Sequence, residues 1–547
     1  MKKLLTILVS FSFVLTSCDY LQGYIKGTSA SAEDSLAAKE DYIAERDRSI
    51  TAANAYSDLF LDSTAVESFI QANAIADTTA RRMRSFYNSR NYQAAWMTSN
   101  GFTEQGRGFW NRIDSAQTNG DSAALQQNTN VLIDSLMEED TLHLNAADSL
   151  FVKTELTLTQ QFVQQAKMGL QSERNLHAFL LPARKVDALQ LADSIINKET
   201  DSTLWQNNQA YTALKEELKR WHTLAKDSSW QPIAGKVGQL RKGASAPLIS
   251  SIKKRLAATG DWQSKDTSQL FSDSLQRAVV LFQKRHGLDS SGMITDTMIT
   301  LLNVHPQDRV EQLLVNLNRM MWMPQMEEGS RAVVNIPQFM LQVYDGDSVA
   351  FEMPVVVGKE GSNTLLLNGT ISEVVFNPYW NIPASIVQSE IMPAMQKDKA
   401  YLKKNNMEIV NGNDSIPQVR QLPGANNALG KVKFLFPNSY DIYLHDTPAK
   451  GLFEQDKRAF SHGCIRVADA QKLAQHLLRN QNGWGAEKVT EAMNSGKEQK
   501  VQVQNPLPIY ITYYTVWVDE SGKVHYRDDV YGQDARTRSL LFTDSAA

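Results

Sequence analysis

The stretch RAFSHGCIRV, Arg458–Val467, holds one of only two cysteines in 547 residues. Ser461, His462 and Gly463 stand directly before Cys464. Short polar residues around a lone thiol are typical of a cysteine nucleophile. Such a nucleophile needs a base within hydrogen-bond reach, and usually a third group that orients the base. The rest of the chain therefore has to supply a base.

The candidate base is His445, which lies 19 residues before Cys464 in the stretch YDIYLHDTP. If DIYLHD and FSHGCIRV form neighbouring strands, both side chains emerge at one end of a sheet. Gly463 gives the backbone freedom for a close approach at the thiol. Asp446, or a backbone carbonyl nearby, would then hold the tautomer of His445. His462 is the alternative base.

The first 18 residues, MKKLLTILVSFSFVLTSC, predict a secretory signal. Two lysines precede an apolar core, Leu4–Leu15, which is shorter than the roughly 20 residues of a membrane span. The end of the stretch, Leu15-Thr16-Ser17-Cys18, resembles a bacterial lipobox. That resemblance implies lipidation of Cys18 and a periplasmic protein anchored to a bacterial membrane. The alternative is an ordinary signal peptide with an incidental cysteine.

Cysteine usage supports a reactive role for Cys464. Exported proteins usually carry cysteines in disulfides. If Cys18 is lipidated, Cys464 has no intramolecular partner, and nucleophilic chemistry explains why a single thiol is kept. An inert buried cysteine is the alternative.

Composition places the chain among globular proteins of several domains, with 42% hydrophobic and 21% charged residues. A net charge of −4 argues against a nucleic-acid partner. We find no CxxC, HExxH, P-loop or GxGxxG pattern in a supporting context, so no metal or nucleotide cofactor is predicted.

The pattern along the chain predicts a multidomain α+β protein. Apolar spacing predicts helices in LTLTQQFVQQAKMGL (156–170) and TALKEELKRWHTLA (212–225), whereas alternation from Arg331 onwards predicts strands. A helical stretch within these strands predicts a lid-like insertion at residues 388–435. The predicted segments are a signal peptide at 1–18, a polar tether at 19–80, a helical scaffold at 81–243, a three-helix domain at 245–304, a linking helix at 305–329 and a mainly β domain at 330–545.

The run AVVLFQKRHGLDSSGMIT (278–295) makes the three-helix segment resemble a peptidoglycan-binding domain. Asp273 or Ser274 is the predicted N-cap of its second helix, and Gly287 the predicted C-terminal end.

The pair HDTP … RAFSHGCIRV is similar to the signature of the L,D-transpeptidases, whose catalytic domain is of the YkuD type. By this resemblance Cys464 is the nucleophile and His445 the general base. His462, Gly463 and Arg466 match the motif residues that shape the oxyanion hole and the surroundings of the substrate. The resemblance covers roughly residues 80–540 and points to the large, YcbB-like subclass with a scaffold and a peptidoglycan-binding domain.

Four residues have predicted roles in binding or bracing around the motif. Tyr443 and Trp380 are candidate substrate-binding residues, although core packing is the default for any one aromatic residue. Arg466 either pairs with a substrate carboxylate or braces the loop through backbone carbonyls. Many relatives have Asn where this chain has Asp469, which can cap the following helix about as well.

The resemblance implies a function in the cell wall. A peptidoglycan stem peptide would acylate Cys464, and the amine of a second stem would take the acyl group, which gives a 3–3 cross-link. Inhibition by carbapenems is implied as well. The alternatives are transfer to water, as in an L,D-carboxypeptidase or peptidoglycan peptidase, and a non-catalytic wall-binding lipoprotein.

Overall fold

The structure is a computed structural model that describes residues 43–117, 144–165, 180–197, 208–227, 229–322, 326, 329–346, 348–411, 415–438 and 440–543. Cys18 and the predicted signal peptide lie outside the described residues. Two compact units are present, one from Met1–Arg107 and Thr141–Lys185, the other from Gly108–Asp140 and Val186–Ala547. Within the ranges given above, no helix has both the length and the apolar character that crossing a membrane requires.

The first unit corrects the predicted tether at 19–80, because its described part is folded from about residue 50. Ile50, Tyr56 and Leu61 are buried, and Val66 and Ile70 form the buried face of the first helix. Their apolar side chains lie too far apart for one helical stripe, since turns separate them. The elements here are α1 (Ser63–Ala72), α2 (Asp77–Asn88), β1 (Met97–Thr98), β2 (Gly101–Phe102), α3 (Glu104–Gln117), which runs on into the second unit, and α4 (Ser149–Gln165).

The second unit contains the later helices of the predicted scaffold, so residues 81–243 are not one compact body. These helices are α5 (Ala188–Asn197) and α6 (Gln209–Ala225). Leu214, Leu218 and Trp221 form the buried face of α6, as their spacing predicts. α6 packs against the linking helix, Pro306–Trp322.

A three-helix domain precedes the linking helix. Ser272, and neither Asp273 nor Ser274, caps its second helix, because the Ser272 hydroxyl accepts from the N–H of Leu275 at 3.3 Å. Gly287 follows the helix with φ +66°, as a C-terminal glycine does. The elements are β3 (Gln239–Leu240), α7 (Pro247–Ala258), α8 (Asp273–Arg285), β4 (Ile294–Thr295) and α9 (Asp296–Leu302), followed by the linking helix α10 (Pro306–Trp322).

A mixed sheet of nine strands forms the centre of the C-terminal domain, in the order β14-β7-β15-β13-β12-β8-β16-β5-β6. β6 also pairs with β7, so the ladder returns to itself and encloses an apolar core. The strands are β5 (Arg331–Asn335), β6 (Met340–Asp345), β7 (Ser348–Gly358), β8 (Leu367–Phe376), β12 (Val432–Leu435), β13 (Leu444–His445), β14 (Ala459–Ser461), β15 (Ile465–Val467) and β16 (Gln499–Thr512).

An insertion between β8 and β12, residues 380–430, has an apolar cluster of its own around Ile382, Ile386 and Val419. The predicted boundary of 388–435 is therefore wrong at its C-terminal end, because Val432–Leu435 is a strand of the main sheet. Its elements are β9 (Trp380–Asn381), α11 (Ala384–Ile386), a π-helical turn (Val387–Ile391), α12 (Met392–Lys397), α13 (Tyr401–Lys404), β10 (Met407–Asn411) and β11 (Gln418–Gln421).

The remaining elements cover the core and close the chain. Asp469 caps α14 by accepting from the N–H of Lys472 at 2.9 Å, as predicted. A two-stranded hairpin of Val516–Val518 and Val524–Tyr526 lies near the end, with its turn at Asp519–Gly522. These elements are α14 (Ala470–Leu478), α15 (Ala486–Asn494), β17 (Val516–Val518), β18 (Val524–Tyr526) and α16 (Gln533–Leu541).

A buried ion pair and its hydrogen bonds fix α10 to the catalytic domain. Arg319 lies 2.8 Å from the Asp534 carboxylate, whose other oxygen accepts from the Thr515 hydroxyl at 2.5 Å. The Asn316 side-chain oxygen accepts from the backbone N–H groups of Thr515 and Val516 at 3.0 and 3.2 Å. These bonds satisfy polar groups that would otherwise be costly to bury.

We expect Asp534→Ala to lower the free energy of unfolding by about 3–5 kcal/mol, because Arg319 stays buried without its carboxylate. The matched control is Asp308→Ala, which breaks a half-exposed pair with Arg538 and should cost about 0–1 kcal/mol. Urea unfolding followed by tryptophan fluorescence measures both. Equal midpoints for the two variants would contradict the expectation.

Candidate active site

Parallel pairing between β13 and β15 brings the two predicted catalytic segments together. Leu444 lies opposite Ile465, and His445 lies opposite Arg466. Leu444 and Ile465 are fully buried in the core. Since side chains alternate along a strand, Tyr443, His445, Cys464 and Arg466 are directed to the other face. The neighbouring strands expected from the sequence are present.

The thiol of Cys464 lies among groups with opposing effects on its charge. It is partly buried, and burial raises its pKa. Hydrogen bonds with the backbone and the side chain of Tyr443 act in the opposite direction. The Asp441 carbonyl is 3.6 Å from Sγ, and Asp441 has φ +51°. Burial dominates, so the free enzyme holds a neutral thiol.

The His445 imidazole is held in one tautomer. Its Nδ1 lies 2.5 Å from the backbone carbonyl of Asp446. A carbonyl only accepts, so Nδ1 carries the proton and Nε2 keeps a free lone pair. Burial is the main cause that lowers the pKa of His445 to about 4. His445 is therefore a neutral group able to take a proton at neutral pH.

The Asp446 carboxylate does not orient His445, which corrects its predicted role. Its oxygens accept from the backbone N–H of Lys431 at 2.9 Å and from Lys450 Nζ at 2.6 Å. The backbone carbonyl supplies the orientation, as the alternative interpretation proposed. Sequence alone does not separate the two, because both belong to the same residue.

The loop before Cys464 is braced by two hydroxyls. Ser461 donates to the Cys464 carbonyl at 2.6 Å and accepts from the Gly463 N–H at 3.3 Å. Thr364, which the sequence did not single out, donates to the Gly463 carbonyl at 2.7 Å. Gly463 has φ +116°, where a side chain would be strained. In the described ranges no acceptor bonds the backbone N–H of Cys464, which leaves it available as an oxyanion donor.

His462 contacts the insertion. Its Nε2 is 3.1 Å from the Glu390 carboxylate, which lies on the π-helical turn. Short π-helical segments often occur at functional sites. This partner was not predictable from the sequence, because the two residues are 72 positions apart. His462 thus links the motif to the insertion through the Glu390 carboxylate.

The structure also places the three candidate substrate-binding residues, Tyr443, Trp380 and Arg466. Tyr443 is directly at the thiol, and its ring centroid is 5.8 Å from that of His445. Trp380 packs on the apolar cluster of the insertion, which favours packing as its role. No hydrogen bond joins the Arg466 guanidinium to a described backbone carbonyl, and its Nε is buried without a partner. This argues against loop bracing by Arg466.

Among the residues whose placement is described, no group of three or more His, Cys, Asp or Glu lies close enough to hold a metal ion.

Two parts of the chain match models of known protein families. Residues 329–503 match the family model described as the L,D-transpeptidase catalytic domain, YkuD. This part of the chain is similar to an L,D-transpeptidase catalytic domain. Residues 81–218 match the scaffold domain that accompanies it in the YcbB-like architecture.

Curated and solved relatives carry related names. A Haemophilus influenzae protein named "Putative L,D-transpeptidase" is 32% identical over 240 residues, which is 41% of this chain and 48% of that protein. The match thus spans about half the length of this curated relative.

Two solved structures have low TM-scores to this chain. The L,D-transpeptidase (Yku) from Stackebrandtia nassauensis is 12% identical with a TM-score of 0.21, over 51% of this chain and 97% of that one. L,D-transpeptidase 3 from Mycobacterium tuberculosis, in complex with a faropenem-derived adduct, is 13% identical with a TM-score of 0.19, over 34% and 60%.

We expect the acylation rate of the L,D-transpeptidase domain to keep its full value down to acidic pH. The lowered pKa of His445, about 4, leaves the base neutral above that pH, and protonation removes the base only as pH falls through it. The pH dependence of kcat/KM for acylation by a carbapenem measures this. An acidic limb near the ordinary histidine pKa of roughly 6.5 would contradict it.

Proposed function

We propose that this chain is a cell-wall L,D-transpeptidase that forms 3–3 peptidoglycan cross-links through an acyl-enzyme on Cys464. The observation that carries the proposal is the free lone pair on Nε2 of His445, on the strand paired directly with the one that follows Cys464. A neutral thiol beside a neutral imidazole suits general-base activation of a nucleophile.

The first half-reaction attaches the donor stem to the enzyme. Nε2 of His445 takes the thiol proton while Sγ of Cys464 attacks the carbonyl carbon between the third stem residue and the terminal D-Ala. Backbone N–H groups of the turn at residues 462–464 stabilise the oxyanion, at about 3 kcal/mol per donor. The C–N bond then breaks, His445 returns the proton to the leaving amine, and D-Ala departs from the thioester.

The second half-reaction uses an amine from another stem. The side-chain amine of its diamino acid attacks the thioester carbonyl, and His445 takes a proton from that amine. The C–S bond breaks and an amide joins the third residues of the two stems. Cys464 leaves as the thiol after receiving the proton from His445, so protons and electrons balance without a cofactor.

Transfer requires that an amine reaches the thioester before water does. The insertion at residues 380–430 contacts the motif through Glu390 and His462. Glu390 is next in sequence to Ile391, a member of the apolar cluster of the insertion, which supports a role of the insertion in water exclusion and so favours the amine. Transfer to water, the alternative outcome, would make the enzyme an L,D-carboxypeptidase or peptidoglycan peptidase.

The cellular place of the protein is part of the proposal. The signal-like residues 1–18 and the lipobox-like end at Cys18 support a periplasmic protein anchored to a bacterial membrane through a lipid. The Cys18→Ser variant should then leave the membrane fraction for the aqueous one. Equal membrane association of both proteins would exclude the anchor.

The experiment that tests the proposed function is the intact mass of the chain lacking residues 1–18 after incubation with a carbapenem. We expect one adduct per chain, none in Cys464→Ala, and acylation slowed about 10²–10⁴-fold in His445→Gln, because the base is lost. A native chain that stays unlabelled would refute the acyl-enzyme and raise the wall-binding alternative.

Muropeptide analysis with disaccharide-tetrapeptide then separates the two acceptors. New 3–3 dimers support transfer, whereas trimmed tripeptide stems alone would exclude it.

A further inference from the structure

Lys433 lies in one cross-strand row with the base and with Arg466. It pairs with His445 on β13, and His445 pairs with Arg466 on β15. The neighbours of Lys433 on β12, Val432 and Phe434, are both fully buried in the core. Alternation therefore directs Lys433 to the same face as His445. The sheet thus places one cation on each side of the catalytic histidine.

The ammonium of Lys433 has no carboxylate partner in the described part of the chain. Its Nζ lies 5.6 Å from the ring centroid of Tyr443, the residue that contacts the thiol. Glu498 and Glu373 act electrostatically on Lys433, but each forms its hydrogen bond with another group. Glu498 accepts from the backbone N–H of Tyr379 at 3.2 Å, and Glu373 accepts from Gln502 at 2.5 Å.

An unpaired cation at a partly buried position is costly unless an anion joins it. Lys433 is partly buried, and burial is the main cause that lowers its pKa. Arg466 is also partly buried and without a described hydrogen-bond partner, and its pKa is lowered for the same reason. Lys433 and Arg466, two cations with no carboxylate in contact in the described part of the chain, thus lie on either side of His445, and such a site suits an anionic ligand.

The chemistry of the leaving group indicates which anion this is. His445 must reach the nitrogen of the amino acid that departs, since it returns a proton there. In a C-terminal residue the free carboxylate carbon is only two bonds from that nitrogen. A carboxylate held beside His445 therefore belongs naturally to the leaving residue.

We propose that Lys433 binds the C-terminal carboxylate of the leaving amino acid and so selects donors with one residue beyond the scissile bond. This inference rests on the proposed function and adds a determinant of donor specificity. Stems that continue past that residue present an amide at the same place, and a neutral amide leaves the ammonium unpaired.

The test compares acylation of Cys464 by three synthetic tetrapeptide stems at pH 7.5. One ends in D-Ala with a free carboxylate, one in D-alaninamide, and one keeps the free C-terminus but is amidated at the D-isoglutamyl carboxyl. The last is a control for the loss of one charge elsewhere. For the native chain we expect kcat/KM about 10- to 100-fold higher with the free C-terminus than with the C-terminal amide.

The variants separate binding from a structural role. In Lys433→Met, kcat/KM for the free-carboxylate donor should fall about 10- to 100-fold, to near the value of the amide donor, which itself should stay unchanged. Lys433→Arg should restore most of the preference, because it keeps the charge. Lys500→Met is the matched control, since Lys500 is an exposed lysine two strands from Lys433 along the same row, beyond Val375.

Each outcome bears on one claim. An equal fall with both donors in Lys433→Met would overturn the inference, because it would show an effect on His445 or on folding. A native enzyme that is acylated by all three stems at the same rate would overturn it as well. If no stem acylates the native chain while a carbapenem also leaves it unlabelled, the proposed function fails together with the inference.

Discussion

The short parallel ladder between β13 and β15 is the constraint on which the site depends. It buries Leu444 and Ile465 on one face, and alternation then directs the reactive side chains to the other. A slip of one residue would bury His445 in the apolar core and direct Leu444 to the cleft. The closed ladder of the surrounding sheet opposes such a slip, because each neighbouring strand fixes the register of the next.

The electrostatic state of the site follows from this burial. Cys464 and His445 both lose hydration, so the charged form of each is disfavoured. In the resting site a neutral thiol beside a neutral imidazole is therefore favoured over a thiolate–imidazolium pair. Reactivity arises when a carbonyl carbon arrives, since the proton can then move to Nε2 as the C–S bond forms. A resting neutral thiol is also less prone to oxidation in an oxidising compartment.

The residues around Cys464 were predictable from the sequence because they are contiguous. The motif around Cys464, the glycine before it and the cap at Asp469 all act within a few residues of one another. The sequence identified Asp446 as the residue that orients His445. It did not separate the Asp446 side chain from its backbone carbonyl, because both follow His445 directly. Thr364 and Glu390 were not predictable, because only the tertiary fold brings them to the loop.

The errors in the fold have the same origin. The polar stretch at 19–49 led to a predicted tether that extended to residue 80, yet Tyr56 and Leu61 are buried. Val432–Leu435 follows the insertion directly and lies in the stretch VKFLFP (432–437), whose pattern predicts a strand, so the predicted insertion was extended into a strand of the central sheet. The alternation of buried Val432 and Phe434 around Lys433 was the available signal for a cation on the catalytic face. This signal places Lys433 beside His445 only once the register between β12 and β13 is known.

The insertion and the sheet have apolar clusters that share no residue. Substitutions that repack the insertion therefore leave the volume and packing of the sheet core unchanged. The sequence of the insertion can therefore change with little effect on the stability of the central sheet.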